Sequence, residues 1–145
     1  MKISTKGRYA LRMLLDLAEH QEQGFISLKE IAERQHISKK YLEQIVPMLN
    51  KGNLLRTNRG NRGGYMLAKL ADNITVGEVL HATEGNLAPV SCLEYSENTC
   101  ELADNCATLY VWEGLYQVIC KYLDSITLQD ILCHNNEYIG SDYCI

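Results

Sequence analysis

The stretch SCLEYSENTCELADNC puts three thiols, Cys92, Cys100 and Cys106, into one short acidic segment. Seven residues separate the first pair and five the second. A disulfide uses two thiols and a tetrahedral metal site uses four ligands, so three thiols imply a site completed from elsewhere or a redox pair with one to spare. Zinc prefers paired ligands two to four residues apart, and this segment holds no such pair. Iron–sulfur clusters are held mainly by thiolates and tolerate a different ligand at one position. Oxidation of two of the three thiols to a disulfide is the metal-free alternative. Candidates for a fourth position are His81, Glu101, Asp104, Glu113, Cys133 with His134, Cys144, or a residue of a second subunit. Cys120 lies near an apolar helical stripe and reads as a small buried hydrophobe. The absence of a C-x-x-C pair and of a glycine-rich nucleotide motif argues against a thiol oxidoreductase, and no enzymatic activity is expected.

A second chemistry lies earlier in the chain. Ser38, Lys39, Lys40, Tyr41, Glu43 and Gln44 occupy the exposed start of one helical pattern. Glutamine can bond adenine edges, glutamate can accept from cytosine N4, and lysine can reach guanine or phosphate. Arg56, Arg59 and Arg62 follow on or near a glycine-rich turn, NRGNRGG. Arginine suits a narrow, strongly negative minor groove, and the glycines permit close backbone approach. Charge supports this division. Of the 14 Lys and Arg residues only Lys121 lies beyond residue 70, and the chain still carries a net charge of −4. The front half is therefore basic and suited to a polyanion, whereas the rear half is strongly acidic.

The elements that position these residues follow from periodicity. Residues 4–20 carry apolar positions dense enough for a mostly buried helix, with Gly24 as the stop. Ser27 and Glu30 form a capping box for a short helix. Ser38 caps the next, KKYLEQIVPMLNKGNLL, in which Pro47 removes a hydrogen bond to the Glu43 carbonyl and predicts a kink or break before Gly52. Strands are expected at Leu54–Thr57 and Tyr65–Ala68, and a further helix near Thr75. From Asp104 onward a stripe of Leu109, Trp112, Leu115, Tyr116, Ile119, Leu123 and Ile126 predicts one long amphipathic helix. Its length relative to the chain points to pairing with a second copy. The fold class expected is mainly α with a small β-hairpin wing: a winged helix-turn-helix at 1–84, a cysteine sensor loop at 85–106, and a dimerisation helix with a tail at 107–145. With 145 residues, no signal peptide pattern and no long apolar run, the expected location is the cytoplasm, without membrane contact, where the six cysteines stay reduced.

The segments MKISTKGRYALRMLLDLA, ISKKYLEQIVPMLNKGNLL and RGNRGGYMLAK, with the cysteine segment and LYVWEGLYQVICKYLDSITLQDI, together resemble the bacterial IscR/NsrR/CymR family of regulators. The resemblance covers nearly the whole chain. It implies a cytoplasmic, homodimeric winged-helix repressor or activator, dimerised on the long helix; a symmetric dimer of this kind is expected to grip an inverted-repeat operator in double-stranded DNA. It places Ser38, Lys40 and Glu43 on the DNA-reading helix, with Tyr41 and Gln44 beside them, and Arg59 in the wing. It also implies that Cys92, Cys100 and Cys106 hold an iron–sulfur cluster, 2Fe-2S or 4Fe-4S, whose gain or loss switches DNA binding. The chain departs from the family where a fourth ligand would stand. Leu109 occupies the position of a histidine in IscR-like members, and Arg8 that of an acid in NsrR-like members. A zinc site, a metal-free thiol switch, or an interaction module without specific DNA binding are the alternatives.

Overall fold

Ser4 opens the first helix, α1 (Thr5–Glu19), by accepting a hydrogen bond from the Gly7 N–H at 3.3 Å. The computed structural model describes residues 1–141, with nothing described of the Ser141 side chain. α1 ends earlier than expected, and Gly24 (φ 75°) instead closes a separate single turn, Gln21–Gln23. The capping box forms as expected: the Ser27 hydroxyl accepts from Glu30 N–H at 3.3 Å and Glu30 accepts from Ser27 N–H at 3.1 Å, starting α2 (Leu28–Gln35). His36, in the left-handed region at φ 53°, turns the chain into α3 (Lys39–Lys51), capped by Ser38. α3 runs through Pro47 without a break. Pro47 lies on the exposed side of the helix, where water can satisfy the Glu43 carbonyl that lost its donor.

The wing is an antiparallel pair, β1 (Leu55–Asn58) and β2 (Gly64–Leu67), one residue later and one earlier than expected. Leu55 faces Leu67 and Asn58 faces Gly64, leaving residues 59–63 at the tip. A contact not anticipated from sequence adds a third, one-residue strand. Ile26 N–H donates to the Tyr65 carbonyl at 2.9 Å, and Tyr65 N–H to the Ile26 carbonyl at 2.8 Å. Glycine at 64 is required there, because a methyl group would overlap the Ile26 carbonyl.

α4 (Val76–Glu84) begins with a second capping box, Thr75 with Glu78. The main core gathers Met13, Leu14, Ile31, Leu42, Ile45, Leu49 and Ile74 between the first four helices and the wing. An irregular segment then leads to α5 (Leu109–Asp124), which starts five residues later than the stripe predicts because Ala103–Asn105 form a turn of their own.

The long helix is also shorter at its far end. α5 stops at Asp124, and a further helix not expected from sequence, α6 (Leu128–Ser141), follows. Ile126, expected as the last residue of the helical stripe, therefore lies beyond α5. Thr127 and Asp130 cap the new helix reciprocally, at 2.8 and 3.1 Å. The junction is bonded to the chain at the start of α4: Val76 N–H donates to the Ile126 carbonyl (2.8 Å) and Leu128 N–H to the Ile74 carbonyl (2.9 Å). Leu128 is fully buried in the main core. These bonds require a break in the helix, since they use backbone groups that a continuous helix would consume.

Candidate nucleic-acid interface and thiol loop

The start of α3 and the wing face one another across an open groove of about 680 Å³. Lys39, Glu43 and Asn50 line it from α3, Asn58 and Arg59 from the wing, and Lys29 from the first turn of α2. Lys39 Nζ lies 4.0 Å from Glu43 Oε1, one helical turn apart and both exposed. Asn50 Oδ1 accepts from the Thr57 hydroxyl at 3.3 Å and so fastens the wing to the last turn of α3. The groove thus brings together Lys39, Glu43 and Arg59 from the expected set. Lys40, Gln44, Arg56 and Arg62 are exposed on the same two elements but do not line it. Lys29 and Asn50 were not singled out from sequence. Asn50 was legible, because it follows Lys39 and Glu43 at the spacing of one helix face.

Two expected residues support the interface from behind. Ser38 Oγ accepts from Tyr41 N–H at 3.2 Å, satisfying one orphan donor of α3. Tyr41 meets Tyr9 of α1 edge to face, ring centres 5.4 Å apart. Arg12 lies over the other ring, 5.3 Å from the Tyr9 centroid, and its guanidinium donates to the Gln35 carbonyl at the end of α2. Below them Asp16, only 1% exposed, takes a forked pair of bonds from Arg34 (2.7 and 3.0 Å) and one from Gln35 (3.0 Å). Those bonds raise the Arg34 pKa further. The angle between α1 and α2, and hence the aim of α3, rests on this buried fork.

The three cysteines lie in the segment between α4 and α5. Cys92 is half-buried in the turn Ser91–Leu93, whereas Cys100 and Cys106 are exposed. Cys100 N–H donates to Asn98 Oδ1 at 3.0 Å. The Cys106 thiol sits 3.6 Å from the Thr108 hydroxyl. That hydroxyl, with the Thr108 and Leu109 N–H groups at the head of α5, holds the thiol below its usual pKa. Among the described residues, no three Cys, His, Asp or Glu side chains come together as a metal site. His81 is bonded to the Gly85 carbonyl (3.0 Å), and His134 stacks on Tyr138. Cys133, on α6, accepts from Gln129. Cys144 lies outside the described residues. The described residues of one chain do not gather four ligands as they stand, so a cluster would need the loop to close or a ligand from outside them.

α5 has no fully buried residue. Tyr116 and Leu123 pack with Ile126 against Val76, Leu80 and Leu87 of the same chain. Leu109, Trp112 and Ile119 are half-buried, and of the expected stripe only Leu115 is exposed. The exposed apolar face is offset: Val111, Leu115, Val118 (64% exposed) and Tyr122 (63%), at spacings of four, three and four. No helix among the described residues is long and apolar enough to cross a membrane.

Comparison with known proteins agrees with this architecture. Residues 3–134 match the family Rrf2, described as an iron-dependent transcriptional regulator. The chain is 39% identical to the HTH-type transcriptional regulator IscR of Pectobacterium atrosepticum, over 97% of this chain and 84% of that protein. Its fold is similar to that of CymR (YrzC), the global cysteine regulator of B. subtilis, with a TM-score of 0.74 at 36% identity, covering 92% of this chain and 98% of that one. T. potens IscR superposes with a TM-score of 0.74 at 38% identity, covering 95% and 90%. A basic groove between a helix-turn-helix and a wing, in a chain matched along nearly its whole length, makes this protein a member of the Rrf2 family: a DNA-binding transcriptional regulator rather than an enzyme.

Proposed function

We propose that the protein is a cytoplasmic homodimer that grips an inverted-repeat operator, and that the chemical state of Cys92, Cys100 and Cys106 sets its affinity for DNA. The observation that carries the DNA contact is the groove in which Lys39 and Glu43 of α3 oppose Arg59 of the wing. α3 enters the major groove with its N-terminal residues on base edges, and the wing lies along the neighbouring backbone or minor groove. The face Val111, Leu115, Val118 and Tyr122 pairs with the same face of a second copy, giving two reading heads related by a two-fold axis. Repression follows if the operator overlaps a promoter.

For the switch, three thiolates together with similarity to IscR proteins support an iron–sulfur cluster held by Cys92, Cys100 and Cys106. When bound, such a group supplies sensitivity to iron supply and to oxidants. A second reading, direct thiol oxidation, needs only two thiols rather than a gathered ligand set and is supported by similarity to CymR. Anaerobic purification decides between them, with visible absorbance and iron and sulfide assays on the wild type and Cys100→Ala. A coloured wild type and a colourless variant support the cluster. A protein still colourless after reconstitution with ferrous iron and sulfide leaves the thiol switch. Failure of the wild type to shift any DNA fragment selected from random sequence would overturn the DNA reading itself.

A further inference from the structure

The segment between α4 and α5 is fastened to the rest of the molecule mainly at its beginning. Leu87, 2% exposed, is buried beside Val76 and Leu80. Asn86, next to it, contacts three parts of the chain with one carboxamide. Its Nδ2 donates to the Glu94 carbonyl at 2.5 Å, and its Oδ1 accepts from the Ala88 N–H at 2.6 Å. The Tyr116 hydroxyl of α5 reaches the same Oδ1 at 3.5 Å. Glu94 in turn closes the turn that carries Cys92, its N–H donating to the Ser91 carbonyl at 3.2 Å.

Beyond Glu94 the segment behaves differently. The hydrogen bonds described for Cys100, Ala103, Asn105 and Cys106 all run to neighbours within three residues. Cys92 therefore belongs to the fastened part of the loop, and Cys100 to the loose part. The fastening also leads toward the DNA-reading elements. Tyr116 and Leu87 share one apolar cluster with Leu80 of α4. At the end of α4, the Glu84 carboxylate accepts from the Ser4 N–H (2.9 Å) and the Ser4 hydroxyl (2.6 Å) at the head of α1.

We propose that Asn86 is a positioning residue that ties the Cys92 turn to α5, so that a displacement of Cys92 changes how α5 sits on α4. Any reaction that draws Cys92 toward Cys100 or Cys106 pulls the Glu94 carbonyl away from the Asn86 amide. The partner of the Tyr116 hydroxyl then turns with it. The proposal rests on the reading that the cysteines control DNA binding, and the test below keeps the two separable.

The full-length wild type, Asn86→Ala, Asn86→Asp and Tyr116→Phe are compared in two measurements. The first is the rate of iodoacetamide alkylation at each cysteine of the reduced protein, followed by peptide mass spectrometry. Loss of one net hydrogen bond predicts alkylation of Cys92 about fivefold faster in both Asn86 variants. Cys100 and Cys106 are expected to keep their wild-type rates, which a general loosening of the fold would not allow. Tyr116→Phe leaves the Cys92 rate unchanged. The second measurement is affinity for a DNA fragment selected from random sequence, before and after treatment with diamide or with ferrous iron and sulfide. Asn86→Ala and Tyr116→Phe should retain the untreated affinity and lose most of the wild-type response. Wild-type alkylation of Cys92 in both Asn86 variants, or a full response in Asn86→Ala, would overturn the relay alone. A wild type that itself gives no response overturns the switching reading and the relay with it, while the alkylation rates still report whether Asn86 holds the turn.

Discussion

Asp16 is the one charged side chain buried in the core among the described residues, and its surroundings explain why it is tolerated. Arg34 forks onto both carboxylate oxygens and Gln35 supplies a third donor, so little of the carboxylate is left unbonded. The two partners are not equivalent. Arg34 is 30% exposed and can turn to water if Asp16 is removed, whereas Asp16 has no such escape. Arg34→Ala is therefore expected to destabilise the protein by about 3 kcal/mol, and Asp16→Ala by less. Urea unfolding of the two variants checks the order. Ser38 acts on a smaller scale: Ser38→Ala should cost about 1 kcal/mol by removing the side-chain cap of α3, and should weaken DNA binding by fraying the first turn of α3. The proposed reading residues Lys39, Glu43 and Arg59 are exposed and are expected to bear on affinity more than on folding. Glu43→Ala should leave the melting temperature unchanged and alter which DNA sequences are selected.

The helices are set mainly by their caps, and here much of the fold was legible. Ser27 with Glu30, Ser38 and Thr75 start α2, α3 and α4 where the residue types predict. The boxes also make stability depend on pH. Burial pushes the Glu78 carboxyl up, but the Lys69 ammonium at 2.6 Å and the Thr75 N–H more than offset it, leaving the pKa below its ordinary value. A carboxyl depressed in the folded state stabilises above its unfolded pKa, and that stability is lost as pH falls through the lower folded value. Glu78→Gln should accordingly flatten the fall in stability below about pH 5, measured by thermal melts across pH. What the sequence reading missed was the end of α5. The signal was present, since Thr127 and Asp130 have capping-box spacing, but the apolar run through Leu123 and Ile126 matches a helical stripe equally well. Only tertiary bonds, Val76 to Ile126 and Leu128 to Ile74, distinguish a break from continuity. The gathering or separation of the cysteines was likewise illegible, because spacing within an irregular loop does not determine distance.

At the scale of the whole molecule, the front half of the sequence is basic and builds the groove, and the rear half is acidic and carries an exposed apolar face. If that face pairs two copies as proposed, Val118→Glu should yield monomers in sedimentation velocity without lowering the monomer's stability, since Val118 is already exposed. Arg59→Ala should reduce the salt dependence of DNA binding by about one counterion if Arg59 meets a phosphate. Leu128 adds a constraint of a different kind. It fills the main core at the back of the reading head, although it lies more than sixty residues along the chain from the wing tip that it indirectly supports. A ribosome delivers residues in order, so the core that aims α3 stays open until the first residue of α6 has emerged. Chains interrupted between the wing and that point carry every residue that lines the groove and still lack a finished head. Truncation before Leu128 is therefore expected to weaken DNA binding although the whole groove is present.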